Sequence, residues 1–345
     1  MLPHPVDILR FIWLLAFVVF LSVGVNLALL FRFVFTGLSK TRSVLMKLCL
    51  LGYTLLLLFF ILELTFAHIV IPDGFDQTLA SKIWFRDHWN PINALGYRDT
   101  DNKDVTKRLA LVVGDSFVAG HGVEKIEDRF GEQLGRELGK DWEVAIVAQN
   151  GWNTKTELEK TRDYPALPEL IVLSYFPNDI WDAAAAAGHR APKFVGTPGR
   201  FTNWMIMRSF FLNWVYWRLQ RGTMGNEFWQ YLVDCYNNPK VWESHSRELQ
   251  QFVDFAKEKN IKLAVVVWPN LNAVAQSKAI TARVAECFRS HGVPVLDLSL
   301  LLESRDRFDM VVNSVDAHPN LQVHREVAHQ IYLLLEKEGY LSGPR

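Results

Sequence analysis

The sequence predicts an α/β domain built on a parallel sheet covered by helices on both faces, preceded by two membrane-spanning helices. Three observations predict it. Two long apolar runs occupy the first 72 residues, short apolar runs alternate with amphipathic stretches from about residue 106, and the short runs end at turn-forming or polar residues. Strands alternating with helices indicate βαβ units. A strand that is apolar throughout, rather than at every second position, is buried on both faces.

The first apolar run, Phe11 to Phe31, contains no charged residue and at helical rise spans about 31 Å, the thickness of a bilayer's hydrocarbon core. The second, Leu48 to Ile71, would span about 36 Å and fit with tilt. Its ionisable interruptions are Glu63 and His68, and Glu63, near the outgoing end, is expected to be an interfacial carboxylate. The first run is longer than a signal-peptide core, lacks a small-residue cleavage pattern and is soon followed by the second, so it reads as an anchor. Arg32, Lys40, Arg42 and Lys47 border the connecting loop without an acid, whereas Asp7 accompanies Arg10 at the N-terminus and Asp73 and Asp76 open the downstream side. The positive-inside rule then puts the loop in the cytoplasm and both termini outside, with a bacterial inner membrane facing the periplasm as the expected setting.

The chain has 345 residues, 50% of them hydrophobic, with 37 acidic against 37 basic side chains, enough for one substantial core plus added elements. Neutral balance excludes a typical nucleic-acid partner, which demands an excess of Lys and Arg. Cys49, Cys235 and Cys287 lack the paired spacing of zinc or redox sites. Cys49 reads as a small hydrophobe in its apolar run, and pairing of Cys235 with Cys287 stays open.

These features divide the chain into a transmembrane hairpin at 1–72, a linker and substrate-side segment at 73–105, and a globular domain at 106–345. Strands are expected at Arg108–Val113, Glu143–Ala148, Leu170–Ser174, Ile261–Trp268 and Val293–Leu298. Helices are expected at Asp128–Leu138, Glu243–Lys259, Ala273–Ser290 and Val323–Lys337. An aromatic stretch at about 201–236, carrying Trp204, Trp214, Trp217 and Trp229, reads as a helical insertion packed on the core, with a membrane-facing flap as the alternative.

Chemistry concentrates at strand ends. Ser116 closely follows the first strand of the globular domain, where ligands bind in open α/β sheets; as a structural residue it would be a helix cap. Asp316 and His318, in Val-Asp-Ala-His-Pro-Asn, supply the other partners a serine nucleophile needs: an imidazole to take its proton and a carboxylate to hold that imidazole. Gln149-Asn150-Gly151-Trp152-Asn153-Thr154 follows the second strand and Phe176-Pro177-Asn178-Asp179 the third. In order and location these segments resemble the conserved blocks of the SGNH (GDSL-type) hydrolase superfamily, across roughly residues 106–340.

That resemblance implies a flavodoxin-like three-layer α/β/α sandwich and a serine hydrolase acting on ester bonds. It implies Ser116 as nucleophile, His318 as general base and then acid, and Asp316 as the group orienting His318. The oxyanion hole would combine the Ser116 and Gly151 N–H groups with the Asn178 side chain. The sequence departs from the pattern twice. One residue separates Asp316 from His318 where many members have two, and Phe176 stands where members often have glycine. Asn90 to Asp99 also resembles a segment preceding the serine block in bacterial envelope members. Arg98, Asp115 and Asp179 are candidate substrate contacts, with a salt bridge for Arg98 and turn amides for the two acids as structural alternatives. His121, close after the serine, reads as an ordinary surface histidine, with a place at the pocket as the alternative, and His324 and His329, five apart on a helix, do not share a face for a metal. No cofactor is implied.

The expected function is a membrane-anchored serine esterase removing an acyl group, acetyl above all, from an envelope carbohydrate or lipid. An O-acyltransferase working with a larger membrane partner in exopolysaccharide or cell-wall modification would use the same residues, because both reactions pass through an acyl-serine. A hydrolase-like scaffold without activity is the third reading. The intact Ser116, Gly151, Asn178 and His318 set speaks against it.

Overall fold

The structure is a computed structural model describing residues 4–34, 40–104, 106–191, 193–194 and 196–342. In chain order its helices are α1 (Pro5–Val34), α2 (Lys40–Phe66), α3 (Leu79–His88), α4 (Ser116–Ala119), α5 (Phe130–Leu138), α6 (Thr154–Arg162) and α7 (Trp181–Ala186). They continue with α8 (Arg200–Ile206), α9 (Phe210–Asn237), α10 (Pro239–Glu258), α11 (Val274–Arg289), α12 (Leu298–Leu302) and α13 (Leu321–Lys337). The strands are β1 (Arg108–Gly114), β2 (Trp142–Ala148), β3 (Leu170–Tyr175), β4 (Lys262–Val267), β5 (Val295–Asp297), β6 (Val311–Asn313) and β7 (Asp316–Pro319). Two compact units form: residues 1–71, 76–85 and 196–222 in one, the remainder in the other.

In the first unit, Pro5–Ala28 of α1 and Met46–Phe66 of α2 are long and apolar enough to cross a membrane. Apolar side chains such as Phe11, Leu15, Leu50 and Leu55 are exposed along them. The connecting loop at 35–39 lies outside the described residues, as do the side chains of Arg32, Lys40 and Arg42. Helix α2 stops at Phe66 rather than Ile71, because Ile69-Val70-Ile71 is β-branched and precedes Pro72, which disfavours helix in the residue before it. Helix α3 falls in the stretch read from sequence as a linker and substrate-side segment. Thr78 starts it, its hydroxyl accepting the Ser81 N–H at 3.0 Å, and Leu79, Ile83 and Trp84 are buried on one side.

Glu63 corrects the expectation of a carboxylate at the headgroups. It is fully buried, accepts the Phe210 N–H at 2.8 Å and is hydrogen-bonded by the Ser209 hydroxyl, so it satisfies the start of α9. Phe66 packs against Phe211 and Trp214 with ring centroids 5.4 and 5.0 Å away, and the Trp13 indole N–H donates to the Arg208 carbonyl at 2.9 Å. The aromatic insertion is thus divided. Residues up to Gly222 pack with the apolar helices, whereas Tyr231, Leu232, Cys235 and Tyr236 join the α/β core.

The second unit is a three-layer α/β/α sandwich around a five-stranded parallel sheet of order β2-β1-β3-β4-β5. Alternation along each strand feeds two separate cores. Leu111, Val113, Ile171, Leu173, Leu263 and Val265 face one side with α6, α10, α11 and the end of α9. Ala110, Val112, Val172, Ala264 and Val266 face the other with α4, α5, α12 and α13. Both faces being covered explains why these strands read as continuous apolar runs. The order reverses direction at β1/β3, the point where such sheets open a crevice beyond their carboxyl ends.

Candidate active site

Gly114 closes β1 where no side chain fits: a Cβ there would lie 2.6 Å from Val118 Cγ2 and 2.9 Å from the Ser174 carbonyl oxygen. Asp115 then caps α4, its carboxylate accepting the Phe117 N–H at 3.0 Å, which makes Ser116 the first helical residue above the β1/β3 crevice. Asp316 and His318 arrive on β7, paired antiparallel with β6. Side chains two apart on a strand share a face, so the single intervening residue, Ala317, directs both groups to one side. A gap of two would separate them.

The geometry joins the three residues. The Ser116 hydroxyl lies 2.8 Å from His318 Nε2, and His318 Nδ1 lies 2.6 Å from Asp316 Oδ1, which also accepts the His318 backbone N–H at 3.0 Å. Asp115 Oδ2 is a longer alternative for the hydroxyl at 3.5 Å. All three side chains belong to buried residues. Burial by itself would raise the Asp316 carboxyl, but the pull of His318 and His121 prevails and holds it well below the usual carboxylate range. His318 is lowered from the ordinary imidazole value of 6.5, by burial first and by His121 second, against the opposing attraction of Asp316. At neutral pH it is a free base next to a carboxylate.

The other two candidate residues follow β2 and β3. Gly151 lies in the turn Gln149–Trp152, closed by the Trp152 N–H on the Gln149 carbonyl at 3.3 Å, and its φ of +76° is one that glycine adopts without cost. Nothing lies within 4 Å of where its Cβ would stand. Asn178, in the 3-10 turn Pro177–Ile180 after β3, is hydrogen-bonded to Asp115. Phe176 has ordinary extended backbone (φ −121°, ψ 149°), so this position does not need glycine. Its ring stacks on Phe117 at 4.5 Å, and Phe117 in turn lies 5.2 Å from the His318 ring.

A family model described as GDSL-like Lipase/Acylhydrolase matches residues 112–326, more than half of the chain. The chain belongs to this family. It is an ester-cleaving hydrolase of the SGNH (GDSL-type) superfamily, and the matched region runs from β1 into α13. Among solved structures, a lipase/acylhydrolase from Enterococcus faecalis is 12% identical over 69% of this chain and 99% of its own, with a TM-score of 0.42. A carbohydrate acetylesterase family member from Sinorhizobium meliloti gives 14%, 67%, 98% and 0.40 in the same order. A psychrotrophic esterase from Pseudoalteromonas sp. gives 12%, 67%, 98% and 0.40. No match was found among curated proteins.

Several sequence expectations change in this GDSL-family site. Among the described residues Arg98 has no salt bridge, and its bonds are to backbone. It is buried, and its guanidinium donates to the carbonyls of His88, Ala119, Gly120, Val123 and Glu124 at 2.7–3.1 Å, pinning the loop after α4. Burial, with Arg129 nearby, lowers its pKa to about 9. Asp115 and Asp179 are buried as well. Burial raises Asp115 to about 6 against the bonds it accepts, and burial with Glu157 pushes Asp179 well above the carboxylate range.

His121 is the residue that the sequence misjudged. It is buried rather than on the surface, with Nε2 3.1 Å from Asp316 Oδ2 and its ring 4.0 Å from that of His318. One available signal was its place between Gly120 and Gly122, both at positive φ, just downstream of the serine. Donor atoms of His121, Asp316 and His318 lie within 4.8 Å of one another: Asp316 and Ser116 hold the two His318 nitrogens, whereas His121 Nε2 faces Asp316 Oδ2 at 3.1 Å without hydrogen-bond alignment. His324 is buried and accepts the Phe130 N–H at 3.2 Å, while His329 pairs with Glu137 at 2.9 Å. Cys235 and Cys287 are free thiols.

Replacing Arg98 with Met strands several buried carbonyls at once. We expect a loss of about 3 kcal/mol in unfolding free energy, measured by denaturant titration. A raised KM with unchanged stability would instead restore Arg98 as a substrate contact.

Proposed function

We propose that the protein is a membrane-anchored serine esterase that removes a small acyl group, acetyl above all, from an O-acylated envelope carbohydrate or lipid. The observation that carries the chemistry is the continuous chain Ser116–His318–Asp316, at 2.8 and 2.6 Å. Ser116 Oγ attacks the ester carbonyl carbon while its proton passes to His318 Nε2. Asp316 holds Nδ1–H and stabilises the imidazolium. The carbonyl oxygen, now negative, is received by the Ser116 and Gly151 N–H groups and the Asn178 amide. As first residue of α4, Ser116 has an N–H with no partner inside that helix. His318 then protonates the departing alcohol oxygen, leaving an acyl-serine. Water, deprotonated by the same imidazole, releases the acid and restores the serine.

Phe176 and Phe117, stacked beside His318, supply an apolar wall near the reacting carbon and favour a short acyl group. The two apolar helices support the anchor. Where α1 begins and α2 ends, Trp13, Arg208 and Trp214 gather with the stacked and exposed pair Phe201 and Trp204, the amphipathic residues that favour a membrane–water boundary. That boundary is taken as the periplasmic one, from the charge pattern of the hairpin.

Purified full-length enzyme in detergent should hydrolyse p-nitrophenyl acetate and be labelled by a fluorophosphonate. Ser116→Ala should abolish both, and Asn178→Ala should reduce kcat about 10²–10³-fold. Adding an oligosaccharide acceptor and finding mostly acylated sugar rather than free acid by mass spectrometry would replace hydrolysis by transfer.

The pH profile follows from the lowered His318. Catalysis needs the neutral imidazole, so kcat/KM should rise with pH along an acid limb whose midpoint lies below 6.5, the ordinary value. A midpoint above it would mean that the acidic groups around His318 outweigh burial.

The protein should resist alkaline carbonate extraction from membranes, and a C-terminal alkaline phosphatase fusion should be active. A fluorescent C-terminal GFP fusion with an inactive phosphatase fusion would reverse the orientation.

A further inference from the structure

Asp316 serves two imidazoles. His318 takes Oδ1, and His121 approaches Oδ2 at 3.1 Å, obliquely rather than head-on. The two rings lie nearly parallel, 14° apart in plane, on the same carboxylate. On the far side of His121, its Nδ1 is 3.1 Å from Asn150 Nδ2. An amide nitrogen only donates, so Nδ1 accepts and a neutral His121 carries its proton on Nε2, facing Asp316. One buried imidazole therefore joins three separate segments: the loop that follows the nucleophile, the strand bearing Asp316 and His318, and the turn bearing Gly151.

We propose that His121 is a positioning residue for acyl transfer, holding the second oxygen of Asp316 so that the first stays aligned with His318. This rests on the Ser116–His318–Asp316 reading above. The short Asp-x-His spacing makes the need clear. Asp316 and His318 share one strand, and the His318 N–H already bonds Oδ1, so both fixed points of the carboxylate within β7 are on the same oxygen. A contact from another segment is needed to stop rotation about the Cβ–Cγ bond. His121 supplies it from the loop that Arg98 and Arg129 fasten through the carbonyls of Ala119 and Gly120.

The stacked pair also limits charge. When the serine proton reaches His318, the new cation faces a ring 4.0 Å away, so His121 must be neutral at that moment. Asp316 and Asp73 draw positive charge toward the pair; Arg98 and Arg129, on the loop side, oppose it, and His324 lies beyond Phe130. A protonated His121 would push the His318 pKa down and weaken the base, which the neutral ring does not.

The test compares full-length wild type, His121→Phe, His121→Gln and Ser116→Ala on p-nitrophenyl acetate across pH. Phe keeps a ring and loses the donor; Gln keeps an amide N–H. We expect His121→Phe to lower kcat about 10–100-fold with KM changed less than about threefold, and Gln to recover most of the loss. A His121→Phe enzyme with kcat within twofold of wild type would overturn the proposal, as would a Gln variant no more active than Phe. Should the Phe variant fail to fold, as judged by its melting transition, His121→Asn, whose shorter amide does not reach Asp316, takes its place: a kcat at least tenfold below wild type supports the role and one within twofold overturns it. Full activity in Ser116→Ala would overturn the underlying triad reading, whereas its loss beside a normal His121→Phe would overturn only the role of His121.

Discussion

A carboxylate that is buried must be paired, because leaving it unpaired in the interior costs several kcal/mol. Asp316 meets that constraint with imidazoles, and the rest of the site is arranged around the result. His318 comes from two residues away on β7, and His121 comes from the loop that follows Ser116. Satisfying one charge thus draws the C-terminal strand onto the end of β1. Attraction outweighs desolvation here, since the Asp316 carboxyl stays well below its usual range despite being almost completely buried.

The sheet makes that meeting possible. With the order β2-β1-β3-β4-β5, the chain leaves β1 and β3 toward opposite layers, and the segments carrying Ser116 and Asn178 border the crevice between them. Buried cations stiffen its rim. Arg98 gathers five carbonyls around the loop holding His121, and Arg129 bonds the carbonyls of Arg98 and Ala119 beside it. The neighbouring acids behave differently from Asp316: burial raises Asp115 to about 6, and burial with Glu157 pushes Asp179 well above the carboxylate range.

The apolar-helix unit follows the same rule of satisfying buried polar groups. Glu63 would be costly in a lipid-facing helix, but turned inward it receives the first N–H groups of α9 and the Ser209 hydroxyl. The aromatic insertion owes its division to composition. Trp204, Phe211 and Trp214 suit the apolar-helix unit, whereas Tyr231 and Tyr236, with hydroxyls that bond the His189 and Pro177 carbonyls, suit a packed core.

The sequence by itself determined what depends on local pattern. Strands β1 to β4 were legible to within a residue or so because burial on both faces leaves continuous apolar runs, and β5 shrank to Val295–Asp297 where only its middle pairs with β4. The hydrolase blocks were legible because each immediately follows a strand or precedes a helix. Tertiary structure decided what depends on distant partners. Glu63 finds Phe210 147 residues later, Ser116 meets His318 across 202 residues, and His121 changes from a surface residue to a partner of Asp316 only when β7 folds back over α4. Even the spacing between Asp316 and His318 was visible without its meaning: the sequence supplies the single intervening residue, and only the strand conformation makes that residue put both side chains on one face.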